Sequence, residues 1–161
     1  MGLERNNLQK GATLVEFAVV LPLLLVLIFG ILESARIVAE FTTVRTAARE
    51  GARFATTVDD SSGLPNYANC LAILDAARSK AVVGELTSIQ VSWESPDGYT
   101  FTCSDSGPTD PDPNQISSGT VVSVTVTSTF DAVVPLIEVF LDGITLDSTQ
   151  SRQVFKGVIK S

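Results

Sequence analysis

The sequence predicts an α+β protein: a long N-terminal membrane helix packed on a small antiparallel sheet, with a second helix. Three observations carry that expectation. Residues 12–32, ATLVEFAVVLPLLLVLIFGIL, form a run of 21 with a single charge, Glu16. An apolar stripe at helical spacing continues beyond the run. The second half of the chain then turns to β-branched segments in which polarity alternates residue by residue.

At a rise of about 1.5 Å per residue, the apolar run spans roughly 30 Å, the hydrocarbon thickness of a bilayer. A domain this small could not cover such a helix on all sides, so lipid is the expected surround. Pro22 lacks an amide hydrogen and would bend or loosen the helix locally, which a membrane span tolerates. Glu16 is the informative residue. A carboxylate within a membrane helix is costly and is usually paired or functional; the plainer alternative is that it reaches only the headgroups. A cleavable secretory signal fits poorly, because the run is too long and Glu33 and Arg36 flank the one small-residue site, near Ala35. The start MGLERN also fails the myristoylation pattern, with Asn6 where Ser or Thr is required.

Past Leu32, Ile37, Phe41, Val44, Ala48, Ala52 and Ala55 recur at spacings of three and four. One helix is therefore expected over residues 13–55, about 65 Å long, with Arg45, Arg49 and Arg53 on another face. That arginine line is either a solvated face or a contact surface for acidic partners. VDDSSGLP, from residue 58, carries turn signals that end the helix.

Residues 67–83 read as a second helix, with Leu71, Leu74, Ala77 and Ala81 forming its apolar face and Gly84 its stop. SIQVSWE follows as a strand with Ile89, Val91 and Trp93 on one side. YTFTC is its hairpin partner, turned at SPDG. Residues 119–130, GTVVSVTVTSTF, make the strongest strand. AVVPLIEVFLDG is expected to form a short helix or turn after Pro135, and ITLDSTQSRQVF a last strand.

The charge balance excludes several functions. With 18 acids against 11 bases the net charge is -7, the wrong sign for binding phosphate backbones, so nucleic acid is not an expected partner. Histidine is absent, which removes histidine-based triads, bases and metal sites together. Outside the first eleven residues the lysines are Lys80, Lys156 and Lys160, and no nucleophile–activator pair or phosphate loop can be read from spacing. No enzymatic activity, cofactor or metal is expected. Asp110, Asp112 and Asn114 mimic the start of a calcium loop, but Gln115 replaces its turn glycine and Val121 its closing glutamate. Cys70 and Cys103 are too few for a disulfide framework. They suit a single bridge in an oxidising compartment, or two buried thiols otherwise.

KGATLVEFAVVLPLLLVLIFGILESARI, followed by AAREGARFA, resembles the TadE-like pseudopilins, minor pilins of the Flp or tight-adherence (type IVc) pilus system. The resemblance covers residues 10–55. It implies a pilin-like fold and a structural role in pilus assembly. It also implies cleavage by a prepilin peptidase between Gly11 and Ala12, so that Glu16 becomes the fifth residue of the mature chain, followed by Phe17. Cleavage would create an amine at Ala12 one helical turn from Glu16, and the two could neutralise each other. Alternatively, Glu16 could pair with the amine of a neighbouring subunit.

The expected organisation is then a leader (1–11), a transmembrane helix (12–32), its extracytoplasmic continuation (33–57) and a small extracytoplasmic α+β domain (58–161). The implied location is the bacterial inner membrane, single-pass, with the N-terminus cytoplasmic. Implied partners are the prepilin peptidase, other pilin and pseudopilin subunits, the inner-membrane assembly platform and the lipid bilayer. The alternative is an uncleaved, single-pass anchored binding domain. Counting basic residues favours the opposite orientation: Arg5 and Lys10 precede the run, while Arg36, Arg45, Arg49 and Arg53 follow it. The junction motif and the cysteines outweigh that count and place the N-terminus inside.

Overall fold

The computed structural model describes residues 4–57, 64–133 and 143–156, with side chains from residue 14 onward. It shows an α+β protein whose first element, α1 (Glu4–Ala55), is a single helix of 52 residues, about 78 Å long. The helix begins earlier than its apolar pattern suggests, because the polar residues before Gly11 contain no proline to stop it. It also continues through Pro22, which cannot donate an amide to the preceding turn.

A 3-10 turn (Asn66–Ala68) leads into α2 (Cys70–Arg78). The sheet has four antiparallel strands, β1 (Leu86–Glu94), β2 (Thr100–Ser104), β3 (Val121–Phe130) and β4 (Ile144–Gln153), in the spatial order β2-β1-β3-β4. The β1–β2 hairpin turns at residues 95–98. There the Gly98 amide donates to the Ser95 carbonyl (3.0 Å) and the Ser95 amide to the Tyr99 carbonyl (2.8 Å).

Alternation decides which sheet face is covered. Ile89, Val91 and Trp93 of β1 and Val122, Val124, Val126 and Phe130 of β3 are buried. They pack against the outer half of α1 and against α2. The opposite face carries hydroxyl pairs across β3 and β4, Thr125 with Thr149 and Ser123 with Ser151, both at 2.8 Å. The Trp93 indole stays buried because its Nε1 donates to the Tyr67 carbonyl at 2.7 Å.

Two expectations are corrected. The second helix covers Cys70–Arg78 rather than residues 67–83. Asn69 sets its start, its side chain accepting from the Ala72 amide at 3.0 Å, as an N-cap does. Its buried face is Cys70, Ile73, Leu74 and Ala77, while Leu71 is exposed. The stripe of α1 holds at Val44, Ala48, Ala52 and Ala55, but Phe41 is exposed, and the buried line also takes in Glu33, Glu40 and Ala47. The segment expected to turn after Pro135 falls in residues 134–142, outside those described.

Candidate functional site

The inner half of α1 makes no use of the domain. From Leu14 to Leu32 the apolar side chains stand exposed, Phe17 by 62% and Leu23 by 75%. Isolated apolar side chains on a surface are ordinary, but a continuous apolar cylinder of this size marks a contact with membrane or with other apolar helices. This part of the helix is long and apolar enough to cross a bilayer.

Gly11 and Ala12 lie within the same continuous helix. Glu16 is exposed one turn further on, and Phe17 sits beside it. The spacing brings residues 12 and 16 to one face. Glu16 therefore presents its carboxylate on the outside of the apolar cylinder, where another helix could reach it.

Where the apolar run ends, α1 is joined to the sheet by polar contacts that the pattern of the sequence does not reveal. Glu33 is only 2% exposed. It accepts from the Val133 backbone amide (3.0 Å) through Oε1 and from the Arg36 guanidinium (2.9 Å) through Oε2. Arg36 also lies over the Phe130 ring, 5.3 Å from its centroid, a cation–π contact. Two turns further along, buried Glu40 accepts from the Ser128 hydroxyl, which also contacts the Glu85 carbonyl at 2.8 Å. Gly84 lies against this carboxylate with φ of +76°, and a Cβ there would meet Glu40 Cδ at 2.7 Å. The glycine expected to stop α2 thus serves a different purpose, allowing the chain to pass the buried acid. The available signal was the seven-residue spacing of Glu33, Glu40 and Ala47, which continues the stripe of small residues.

Further out, Gly51 sets the distance between helix and sheet. A Cβ at this position would lie 3.1 Å from Val124 Cγ1 and 3.2 Å from Ala77 Cβ. The arginine line faces outward, and Arg53 pairs with Glu50 at 2.6 Å. That hydrogen bond holds the Glu50 carboxyl below its usual value of 4.5, outweighing the opposing effect of burial.

Cys70, at the start of α2, is bonded to Cys103 in β2, with S–S 2.00 Å and Cα–Cα 6.5 Å. The bond ties the second helix to the edge strand. In the proline-broken loop, Asp110 Oδ1 accepts from the Cys70 amide at 2.8 Å, and Asp112 Oδ1 from the Asn114 amide at 2.9 Å. These acids are thus engaged in capping a helix and closing a turn. No group of acids, cysteines and histidines suited to a metal occurs among the described residues.

A bare apolar helix leading into a latched α+β domain fits a single-pass membrane anchor with its domain on one side of the bilayer. A family model described as TadE-like protein matches residues 11–53, from Gly11 to Arg53 of α1. Over that segment the chain is similar to TadE-like proteins, in agreement with the resemblance carried by its sequence and consistent with a protein of the tight-adherence pilus system. No curated protein and no solved structure matches the chain.

Proposed function

We propose that this protein is a minor pilin or pseudopilin of a tight-adherence pilus, a structural subunit without enzymatic activity. A prepilin peptidase cuts between Gly11 and Ala12. The mature helix stays in the bacterial inner membrane through residues 12–32, its new N-terminus on the cytoplasmic side and the acidic domain outside. Other pilins and the inner-membrane assembly platform then pack on the apolar helix.

The observation that carries this reading is the exposed apolar cylinder with Glu16 as its one charge, within the segment matched to TadE-like proteins. Charge on an apolar surface is tolerated when it is paired, and cleavage supplies the partner: an amine at Ala12, on the same chain or a neighbour. Only pairing between subunits would set their register. A Cys70–Cys103 bond suits an oxidising compartment outside the cytoplasm. Of the arginines that weigh against this orientation, Arg36 and Arg53 have carboxylate partners on their own helix.

The test is Glu16→Ala in cells that assemble the pilus. The variant should accumulate in the membrane, yet its recovery with the other pilus subunits should fall well below that of the wild type. Equal recovery of the two would remove the proposed pairing.

A further inference from the structure

Where the domain sits relative to the bilayer follows from its contacts at the end of the apolar run, if that run spans the membrane as proposed. Glu33 is the first residue after the run, and Arg36 lies four residues past Leu32, about 6 Å along the axis. A bilayer with about 30 Å of hydrocarbon in a total of 40–45 Å has a headgroup layer of about 5–7 Å on each side. Both residues therefore fall within that layer.

The Glu33 carboxylate holds the Val133 amide at 3.0 Å. Helical side chains tilt toward the helix N-terminus, here toward the membrane, so residue 133 is held at or below the level of Glu33. Val133 is 71% exposed, an apolar side chain turned away from the protein at the depth where the hydrocarbon ends. Beside it, Arg36 is partly exposed and has more donors than its contacts to Glu33 and to the Asp131 carbonyl (3.5 Å) use. An apolar side chain next to a cation is the pairing that an acyl–phosphate boundary accepts.

We infer that the base of the domain, Val133 with Arg36 beside it, rests in the phospholipid headgroup layer, so that the domain sits on the bilayer surface. Glu33 and Arg36 then act in two directions, fastening the end of β3 to the helix and presenting this corner to lipid.

The test uses the full chain in phosphatidylcholine–phosphatidylglycerol vesicles whose acyl chains carry bromine, which quenches nearby tryptophan. Three variants are compared with the wild type, whose Trp93 is buried near the far end of the sheet: Val133→Trp, Phe155→Trp at that far end, and Leu24→Trp within the apolar run. Bromines near the headgroups should quench the Val133→Trp emission, which its apolar surround shifts to the blue, but leave Phe155→Trp unchanged. Bromines at the chain ends should quench Leu24→Trp. Quenching of Leu24→Trp without Val133→Trp would overturn this inference and leave the membrane helix standing. Equal quenching of Val133→Trp and Phe155→Trp would also overturn it, since the contact would not be confined to the base. An unquenched Leu24→Trp would remove the membrane reading itself.

Discussion

Glu40 on α1 and Ser128 on β3, 88 residues apart in sequence, meet in a buried hydrogen bond between hydroxyl and carboxylate. Gly84 passes so close to the same carboxylate that a side chain there would collide with it. Helix, sheet and the approach to β1 are thus fixed around one acid. Removing it with Glu40→Ala deletes a charged hydrogen bond and should lower stability by about 1.5–3 kcal/mol. Gly84→Ala should also destabilise, through both the collision and the positive φ, the latter worth about 1–2 kcal/mol. Because Glu40→Ala removes the collision, Gly84→Ala should cost less in that background. Chemical denaturation of the four proteins in a double-mutant cycle measures the difference. Strictly additive effects would contradict this contact.

Gly51 is a poor residue for the interior of a helix, by about 1 kcal/mol relative to Ala, and its presence is explained by Val124 and Ala77 on either side. A larger side chain must push α1 off the sheet. Gly51→Leu should therefore destabilise the domain by about 1–3 kcal/mol, seen as a lower denaturation midpoint. A midpoint equal to that of the wild type would mean that helix and sheet have room between them.

Glu50 makes a pH-dependent contribution. Its carboxyl titrates lower in the folded protein than in the unfolded chain, because Arg53 donates to it. The stabilisation is therefore complete above the unfolded value, near 4.5, and is lost as pH falls through the lower folded value. Wild type and Glu50→Gln should differ in melting temperature by a constant small amount from pH 7 down to pH ~5, then converge in more acidic solution. The gap is small because Arg53 is more than half exposed and salt screens the pair. A gap that widens on acidification would reverse the assigned sign.

Much of this was legible in the sequence because it depends on local pattern. The apolar run needs no partner to be recognised, and the alternation of Ile89, Val91 and Trp93 assigns the inner face of β1. The SPDG turn fixes the hairpin. The polar latch was not legible in the same way. Nothing local marks Glu33 and Glu40 as latch residues, because their partners, Val133 and Ser128, lie 100 and 88 residues away. These two acids are buried while Phe41 between the buried positions is exposed, against the expectation from hydropathy alone. The start of α2 was similarly hidden, since it depends on Asn69 as a cap and on Asp110 from a distant loop. In the membrane half, Glu16 could be singled out because it is the one charge in an apolar run.

If the exposed helix belongs to a processed, membrane-inserted pilus subunit, the leader must be lost before assembly. Intact mass and N-terminal sequence decide this for the chain recovered from membranes that contain its cognate prepilin peptidase. Processing predicts loss of residues 1–11 and a mature chain beginning at Ala12, with Glu16 fifth. A full-length chain under those conditions would contradict it and leave an uncleaved, single-pass anchored binding domain in its place.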